Sequence, residues 1–255
     1  MDLHVPEATL AALLLGTARA SGFVLLAPPF NSSAVPVPAK SALALALSVV
    51  VAHTIAPAVP ADLTAGYLVV TTVTEVAIGA ALGFLVQLLF TGVQMAGEVL
   101  DVTGGFSLPP AYDPLSLNTN GPIGKLQFQL ASTLLFTSGG HLLIVRGFAT
   151  SYKGLPVGAA LPTGQLSHVL ISAFSQMFLA ALQIAGPLVA VLLLADVALA
   201  LLNRAAPALN VFQLGAPLKI LVCLVLLGLS YPLLPSALDT LIGQATHVMV
   251  SLKSG

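Results

Sequence analysis

Charged residues are scarce in this sequence. Only 7% of its 255 residues are Asp, Glu, Lys or Arg, whereas 57% are hydrophobic. A soluble domain carries about 25% charged residues, so this chain cannot cover a core with a polar surface. The composition therefore predicts an integral membrane protein that contacts lipid. The net charge of −1 argues against nucleic acid as a partner, because phosphate backbones are bound by clustered cations.

Tryptophan is absent, and only four tyrosines are present. Membrane helices commonly carry both residue types where the bilayer meets water, as an aromatic belt. Since this belt is weak here, the sequence indicates that parts of the chain face other protein rather than lipid.

The single cysteine, Cys223, excludes a disulfide framework or a cysteine metal site within one chain. The sequence also lacks a phosphate-binding loop, a dinucleotide-binding glycine pattern and a nucleophile elbow. Five histidines are present, and their spacing does not match a metal site: His4, His53, His141, His168 and His247. We therefore expect no enzymatic activity, no cofactor and no metal.

The apolar runs predict about six long, kinked helices, because a membrane span needs about 20 mostly apolar residues. They lie at roughly 8–26, 40–56, 63–102, 123–145, 166–202 and 217–247. The third run would be near 60 Å long as one helix, so we expect it to bend, break or project beyond the bilayer. Interruptions or kinks are expected at Gly139-Gly140, Gly186-Pro187, Pro232 and Pro235. The acidic start of the chain predicts that the first run is retained rather than cleaved.

Residues 104–122 combine glycine and proline with apolar side chains. The glycines and prolines prevent a continuous helix, yet Phe106, Leu108 and Tyr112 make the segment too apolar for a free solvent loop. It is either a loop packed on its own protein or a re-entrant, pore-covering segment. Membranes tolerate the second kind only where it is buried in protein or lines a cavity. Composition leaves both interpretations open.

Several charged residues lie within or near apolar runs, where charge is costly and usually faces a protein interior or a water-filled cavity: Arg19, Glu75, Glu98 and Asp196. Glu98 and Asp101 share a helix face, because they lie three residues apart. For the carboxylates we consider a proton relay, an ion site, an intersubunit salt bridge or helix-end groups in water. Gly79 and Gly83, which follow Glu75 at four-residue spacing, allow close helix approach.

The stretch 203–219 is unusually polar for this chain, and it resembles a loop of the FliR family of flagellar and injectisome export-gate proteins. The family pattern is close to Asn-Arg-x-x-Pro-Gln-x-Asn-Val-Phe-x-x-Gly-x-Pro-x-Lys. The matching positions are Asn203, Arg204, Pro207, Asn210, Val211, Phe212, Gly215, Pro217 and Lys219. Ala208 stands where the family usually has Gln, which removes one hydrogen-bonding side chain.

Further motifs follow in the family's order along nearly the whole chain. They are Arg19 with Pro28-Pro29-Phe30, Glu75 with Gly79 and Gly83, Gln94 to Gly105, Asp113-Pro114, Gly140-His141 and Ala185-Gly186-Pro187.

The resemblance implies an all-α, polytopic integral membrane protein whose helices pack in a helical export-gate assembly. It implies one membrane domain, in which residues 1–165 form a four-helix FliP-like part and residues 166–255 a FliQ-like hairpin. The implied partners are FliP-like and FliQ-like gate subunits, FlhB-like and FlhA-like export components, and unfolded export substrates. The implied location is the bacterial inner membrane, in the flagellar basal body.

The resemblance further implies a subunit of the protein-conducting channel that exports flagellar rod, hook and filament proteins. Loop 104–122 matches the segment proposed to plug that channel, and its glycines would let it move. Because glycine readily adopts a positive φ, we expect that conformation at Gly105. The plug residues would be Gly104, Gly105, Phe106, Leu108, Pro109 and Tyr112. Roles in assembly or as intramembrane charges would fall to Arg19, Glu75, Glu98, Asp101, Arg204 and Lys219. Two alternatives remain: an injectisome gate subunit, and a secondary transporter coupled through Glu75 or Asp196.

Overall fold

The computed structural model describes residues 7–60, 63–106, 121–160, 163–206 and 211–251, and all regular elements within them are helical. The α-helices are α1 Glu7–Leu26, α2 Val37–Ile55, α3 Ala65–Thr103, α4 Pro122–Thr137, α5 Gly140–Gly154, α6 Thr163–Ala205, α7 Val211–Ser230 and α8 Leu234–Ser251. Short 3-10 helices at Ala56–Ala58 and Tyr231–Leu233 follow α2 and α7. The predicted all-α class is confirmed.

Five stretches among the described residues are long and apolar enough to cross a membrane: 7–26, 37–58, 65–103, 163–205 and 215–250. A sixth arises if the bent pair of α4 and α5 counts as one span, which agrees with the predicted number. With 39 residues in α3 and 43 in α6, both exceed the roughly 20 residues that one span needs. The chain is a multi-pass membrane protein with some unusually long helices.

The helix predicted over 123–145, with an interruption at Gly139-Gly140, is divided at that point into two separate helices. Helix α4 ends at Thr137, α5 begins at Gly140, and the two are bent by 77°. Gly139 between them has a φ of +77°. This left-handed conformation is readily adopted only by glycine, so Gly139 both ends α4 and turns the chain.

Prolines in the last two apolar runs are accommodated in different ways. Pro187 lies inside α6, which continues through it as one helix. Pro217, where the sequence predicted a helix start, lies within α7, which begins earlier at Val211. Pro232 lies in the 3-10 helix Tyr231–Leu233, so the predicted sixth helix is divided into α7 and α8.

The residues group into two compact units. Unit 1 comprises 1–89, 139–174 and 240–255, and unit 2 comprises 90–138 and 175–239. Helices α3 and α6 contribute residues to both units. The division of the chain at residue 165, which the family resemblance implied, follows different boundaries and stays a prediction.

Close approach of α1 and α3 characterises unit 1. A Cβ atom on Gly83 would lie 2.6 Å from the carbonyl oxygen of Phe23, and one on Gly79 would collide with the backbone of Arg19. The close approach predicted for the two glycines is therefore confirmed. Phe23 also contacts Phe148 of α5, with ring centroids 4.8 Å apart, so α5 packs against α1.

Unit 2 has its own apolar core, built from α3, α4, α6 and α7. The fully buried core members include Leu100 of α3 and Cys223 of α7. A Cβ atom on Gly97 would lie only 2.7 Å from the Cα atom of Gly124, so the backbones of α3 and α4 nearly touch. The buried thiol of Cys223 occupies the position of a small hydrophobic residue.

Much apolar surface is left uncovered by the chain itself. The share buried within the chain is 61% for the most apolar part of α3 but 17% for α6 and 17% for residues 215–250. Large exposed apolar side chains on α6 and α7 include Leu182, Leu193, Leu194, Leu221 and Leu229. Large exposed apolar patches mark protein or membrane contacts, so lipid or partner helices must cover α6 and α7.

We expect Gly79→Ala to lower the thermal unfolding midpoint of the purified protein in detergent. The added methyl group meets the backbone of Arg19 rather than the movable end of a side chain. Gly66→Ala is the matched control on the same helix, because no atom of the described residues lies within 4 Å of a Cβ atom built at Gly66. Alanine should even stabilise α3 there by up to about 1 kcal/mol. Equal midpoints for the two variants would contradict the importance of the close approach.

Candidate functional site

Unit 1 contains a fully buried ion pair between α1 and α3. Arg19 Nε donates a hydrogen bond to Glu75 Oε2 at 2.5 Å, and Arg19 Nη2 donates one to Glu75 Oε1 at 3.1 Å. Two parallel hydrogen bonds of this kind fix the orientation of a guanidinium and a carboxylate. Both side chains are at most 1% exposed, so the two opposite charges neutralise each other inside the unit.

Both Nη atoms of the Arg19 guanidinium also have partners other than Glu75. Nη2 donates to the carbonyl oxygen of Leu155 at 2.9 Å, and Nη1 donates to the hydroxyl group of Ser151 at 3.4 Å. The Cζ atom of Arg19 lies 3.9 Å from the ring centroid of Tyr152, within the range of a cation–π interaction. Helix α5 and the residue that follows it therefore supply the remaining contacts of the cation.

This pairing narrows the interpretations of Glu75. The residue is not a helix-end carboxylate in water, because it is completely buried and lies inside α3. Its partner belongs to the same chain, whereas sequence reasoning considered a bridge between subunits and missed Arg19. One signal was available: Arg19 and Glu75 have opposite signs and lie well inside two apolar runs, where an isolated charge is costly.

In unit 2, the buried carboxylate of Asp101 binds the start of α4. Oδ1 accepts a hydrogen bond from the Ile123 N–H at 3.0 Å, and Oδ2 accepts one from the Gly124 N–H at 3.0 Å. The first N–H groups of a helix have no partner within it, and negative charge is favourable beside them. Gly121, at the N-cap position, offers no side-chain acceptor, so Asp101 of α3 supplies the cap of α4.

Helix α3 ends on a glycine. Gly105 has a φ of +86°, and the N–H of Phe106 donates to the carbonyl oxygen of Asp101 at 2.9 Å. A left-handed glycine followed by such a hydrogen bond is the Schellman motif, which satisfies a terminal helix carbonyl. The expectation of a positive φ at Gly105 is confirmed. The preceding Gly104 is a packing position, because a Cβ atom there would lie 2.9 Å from the Cys223 sulfur.

Glu98 and Asp101 both meet α4, as expected for residues on one helix face. The side chain of Glu98 accepts a hydrogen bond from Gln94 Nε2 at 2.8 Å. A Cβ atom on Gly124 would lie 2.8 Å from Glu98 Cγ. On α4, Gln127 is buried, and its Oε1 atom has no hydrogen-bond partner within the described part of the chain.

The polar stretch 203–219 joins α6 to α7. Lys219 Nζ lies 2.8 Å from Asp196 Oδ1, which links the two helices, and the Asp196 side chain is 47% exposed. A Cβ atom built on Gly215 of α7 would lie 3.5 Å from Leu199 Cδ1 of α6, so the two helices also approach each other at this glycine. Asn203 and Arg204 are exposed at the end of α6.

The structure describes only some of the other residues that were singled out from the sequence. Phe212 belongs to the first turn of α7, and Pro217 lies further along that helix. Pro207, Ala208 and Asn210 lie outside the described residues, as do Leu108, Pro109 and Tyr112 of the suggested plug.

The fold and these contacts define a class: a polytopic α-helical membrane protein with an intrachain ion pair buried between its helices and much apolar surface left for lipid or other proteins. The chain belongs to the family described as bacterial export proteins, family 1, whose model matches residues 10–245. This family assignment agrees with the resemblance found in the sequence.

Individual relatives are similar over most of the chain. The flagellar biosynthetic protein FliR of Escherichia coli (strain K12) is 30% identical over 92% of this chain and 90% of its own length. The protein of the same name from Aquifex aeolicus (strain VF5) is 32% identical over 92% and 90%. The Yop proteins translocation protein T of Yersinia pestis is 32% identical over 57% of this chain and 56% of its own length.

We expect the variants Arg19→Met and Glu75→Leu each to destabilise the folded protein by about 3–5 kcal/mol, because each leaves one buried charge uncompensated. The double variant should lose much less than the sum, since apolar side chains then replace the whole pair. Unfolding of all four proteins in detergent completes the double-mutant cycle. Strictly additive losses would contradict a direct energetic coupling between the two residues.

We expect Gly105→Val to destabilise the protein more than Gly105→Asn. No atom of the described residues lies within 4 Å of a Cβ atom built at Gly105, so the difference in stability between the two variants reports the backbone conformation. A left-handed φ costs an ordinary residue about 1–2 kcal/mol, whereas asparagine visits it more readily. The two unfolding midpoints provide the measurement, and a valine variant as stable as the asparagine variant would argue against a strained Schellman turn.

Proposed function

We propose that this protein is a subunit of the flagellar type III export gate, which helps form the channel through which rod, hook and filament proteins leave the cell. The observation that carries the proposal is the family match over residues 10–245, together with flagellar relatives aligned over 92% of the chain. The protein would act in the inner membrane within the flagellar basal body.

Flagellar use is favoured over injectisome use by the extent of similarity. The flagellar relatives align along nearly the whole chain, whereas the Yersinia pestis relative aligns over 57% of it. The identities are close, at 30% and 32%, so coverage distinguishes the two groups better than identity. A role in a virulence secretion system is the second candidate.

We further propose FliP-like and FliQ-like subunits as the proteins that cover α6 and α7, with FlhB-like and FlhA-like components beside them. The sparse burial of α6 and of residues 215–250 within the chain supports partners at these helices. The half-exposed carboxylate of Asp196 supports the same view, because charge on a lipid-facing surface is costly. Arg204, exposed at the end of α6, is a further candidate contact.

The mechanism we propose for the gate is passive. Residues 104–122, with the apolar side chains of Phe106, Leu108 and Tyr112, would seal the channel when no substrate passes. Sealing needs apolar contact and exclusion of water, and it needs no catalytic group. The energy for export would come from other components of the apparatus.

The secondary-transporter alternative receives little support. A coupling site needs an ionisable group that exchanges its proton or ion during transport, and such groups commonly lie near helix breaks at the bilayer midplane. Glu75 is instead held by two hydrogen bonds from Arg19 inside an unbroken α3. The carboxylate of Asp196 is likewise paired, with Lys219.

The plug is tested by replacing residues 107–120 with a short glycine-serine linker in cells that carry the partner subunits. Phe106 and Ile123, on the two sides of the segment, both donate hydrogen bonds to Asp101, so a short linker can connect α3 to α4 without pulling the two helices apart. We expect increased ion conductance across the cytoplasmic membrane, because the apolar seal is lost while the helices stay in place.

The control for this experiment is a linker variant of another connection between helices, residues 156–160 between α5 and α6. Assembly of both variants with the partner subunits is confirmed by co-purification. An intact assembly without a leak in the 107–120 variant would place the seal on the partner subunits and contradict the plug.

A further inference from the structure

Glu98 is a partly exposed carboxylate in the apolar helix α3, and the ion pairs among the described residues do not include it. Its Oε1 atom accepts a hydrogen bond from the side-chain amide of Gln94 at 2.8 Å, but a neutral amide leaves the negative charge uncompensated. The buried carboxylates of Glu75 and Asp101 differ, because a guanidinium and two N–H groups at a helix start compensate for them. Glu98 is therefore a charge that still needs a partner.

Helix α4 contributes a second uncompensated group, the side chain of Gln127. This side chain is 3% exposed, and its Oε1 atom has no hydrogen-bond partner within the described part of the chain. A buried acceptor without a donor is costly, and native structures keep few of them. Gln127 therefore indicates a donor that comes from elsewhere.

The two groups lie along one contact between α3 and α4. A Cβ atom built on Gly124 would lie 2.8 Å from Glu98 Cγ. Gln127 follows Gly124 by three residues, so the two share a face of α4. The ring of Phe128 meets the ring of Phe90 edge-on, with centroids 5.8 Å apart, so α4 runs back along α3. Gln127 thus lies opposite the part of α3 between Phe90 and Glu98.

The surroundings of a single chain do not compensate for both groups. Lipid does not stabilise a carboxylate, and water would reach the exposed part of Glu98 but not the buried oxygen of Gln127. Lys125 of α4 is exposed, and the ion pairs among the described residues do not include it. Because both groups need donors, their complement is a basic side chain, which donates several hydrogen bonds and accepts none.

We propose that Glu98, with Gln127 beside it, is the docking site for a basic side chain of a neighbouring subunit. This inference rests on the proposed function, because it requires an assembly with partner subunits. The contacts proposed for α6 and α7 mainly cover apolar surface, whereas this contact on α3 depends on charge. Charge pairs across an interface fix its register and disfavour wrong partners, so Glu98 orients the chain among its neighbours.

The test compares the wild type with Glu98→Gln, Glu98→Lys and Glu7→Lys, each co-expressed with the FliP-like and FliQ-like subunits. Glu7 lies exposed in the first turn of α1, so Glu7→Lys makes the same change of charge away from α3. We expect Glu98→Gln to lower the amount of co-purified partner on the order of tenfold, because the partner's cation is left unpaired. Glu98→Lys should lower it further, since like charges repel, and Glu7→Lys should match the wild type.

Unfolding of the chain purified alone in detergent separates lost docking from misfolding. Glu98→Gln should keep the wild-type midpoint, because the isolated chain has no ion pair to lose at this position. Gln127→Leu should unfold at the same or a higher temperature, since it removes an unsatisfied buried acceptor, yet recover less partner. A fall in both quantities would show that Gln127 only packs α4 on α3 and would remove it from the site.

Motile revertants of Glu98→Lys identify the docked residue. We expect second-site substitutions that remove or reverse a basic residue of a partner subunit. Revertants that change this chain alone, for example at Lys125, would overturn the inference in favour of a pair within the chain. Equal recovery of partners by the wild type and both Glu98 variants would also overturn it and leave Glu98 in water. A wild-type chain that recovers no partner would instead contradict the proposed function itself.

Discussion

The ion pair between Arg19 and Glu75 is the interaction on which the arrangement of unit 1 depends. A chain with so few charges gains nothing from burying two of them unless they meet in one geometry, since each alone would be strongly destabilising. The pair needs α1 and α3 in contact, and the other hydrogen bonds of Arg19 need Ser151 of α5 and Leu155, which follows that helix. The glycines at 79 and 83 bring α1 close enough for this to happen. The buried ion pair and the two glycines thus together determine how α1 packs against α3.

Unit 2 also contains a buried charge, and backbone N–H groups stabilise it there instead of a cation. The ion pairs among the described residues do not include the buried Asp101, and two N–H groups at the start of α4 take the place of an opposite charge. The difference matters because an ion pair joins two side chains, whereas a cap joins a side chain to a helix end. The ion pair holds two helices side by side, whereas the cap fixes the residue at which a new helix begins.

Composition and apolar run lengths were enough to predict the all-α membrane class and the number of spans, because hydropathy depends on residues within one segment. The close approach at Gly79 and Gly83 was also visible from local spacing. The bend at Gly139 was predicted only as an interruption, since sequence does not tell a kink from a left-handed turn. The partners of Glu75 and Asp101 were missed because they lie 56 and 22 positions away. Contacts at such separations follow from the packing of helices, which one sequence does not reveal.

The thinly covered helices α6 and α7 have a consequence for how such a protein exists in the cell. Where a fold completes its surface only with other chains, its free energy of unfolding follows mass action and changes with the concentration of those partners. A copy made in excess would be an orphan subunit with apolar helix faces and a polar Asp196–Lys219 pair lacking their usual neighbours. Its lifetime would then be set by quality-control proteolysis rather than by its own packing. The abundance of this protein would therefore follow the supply of the subunits it assembles with.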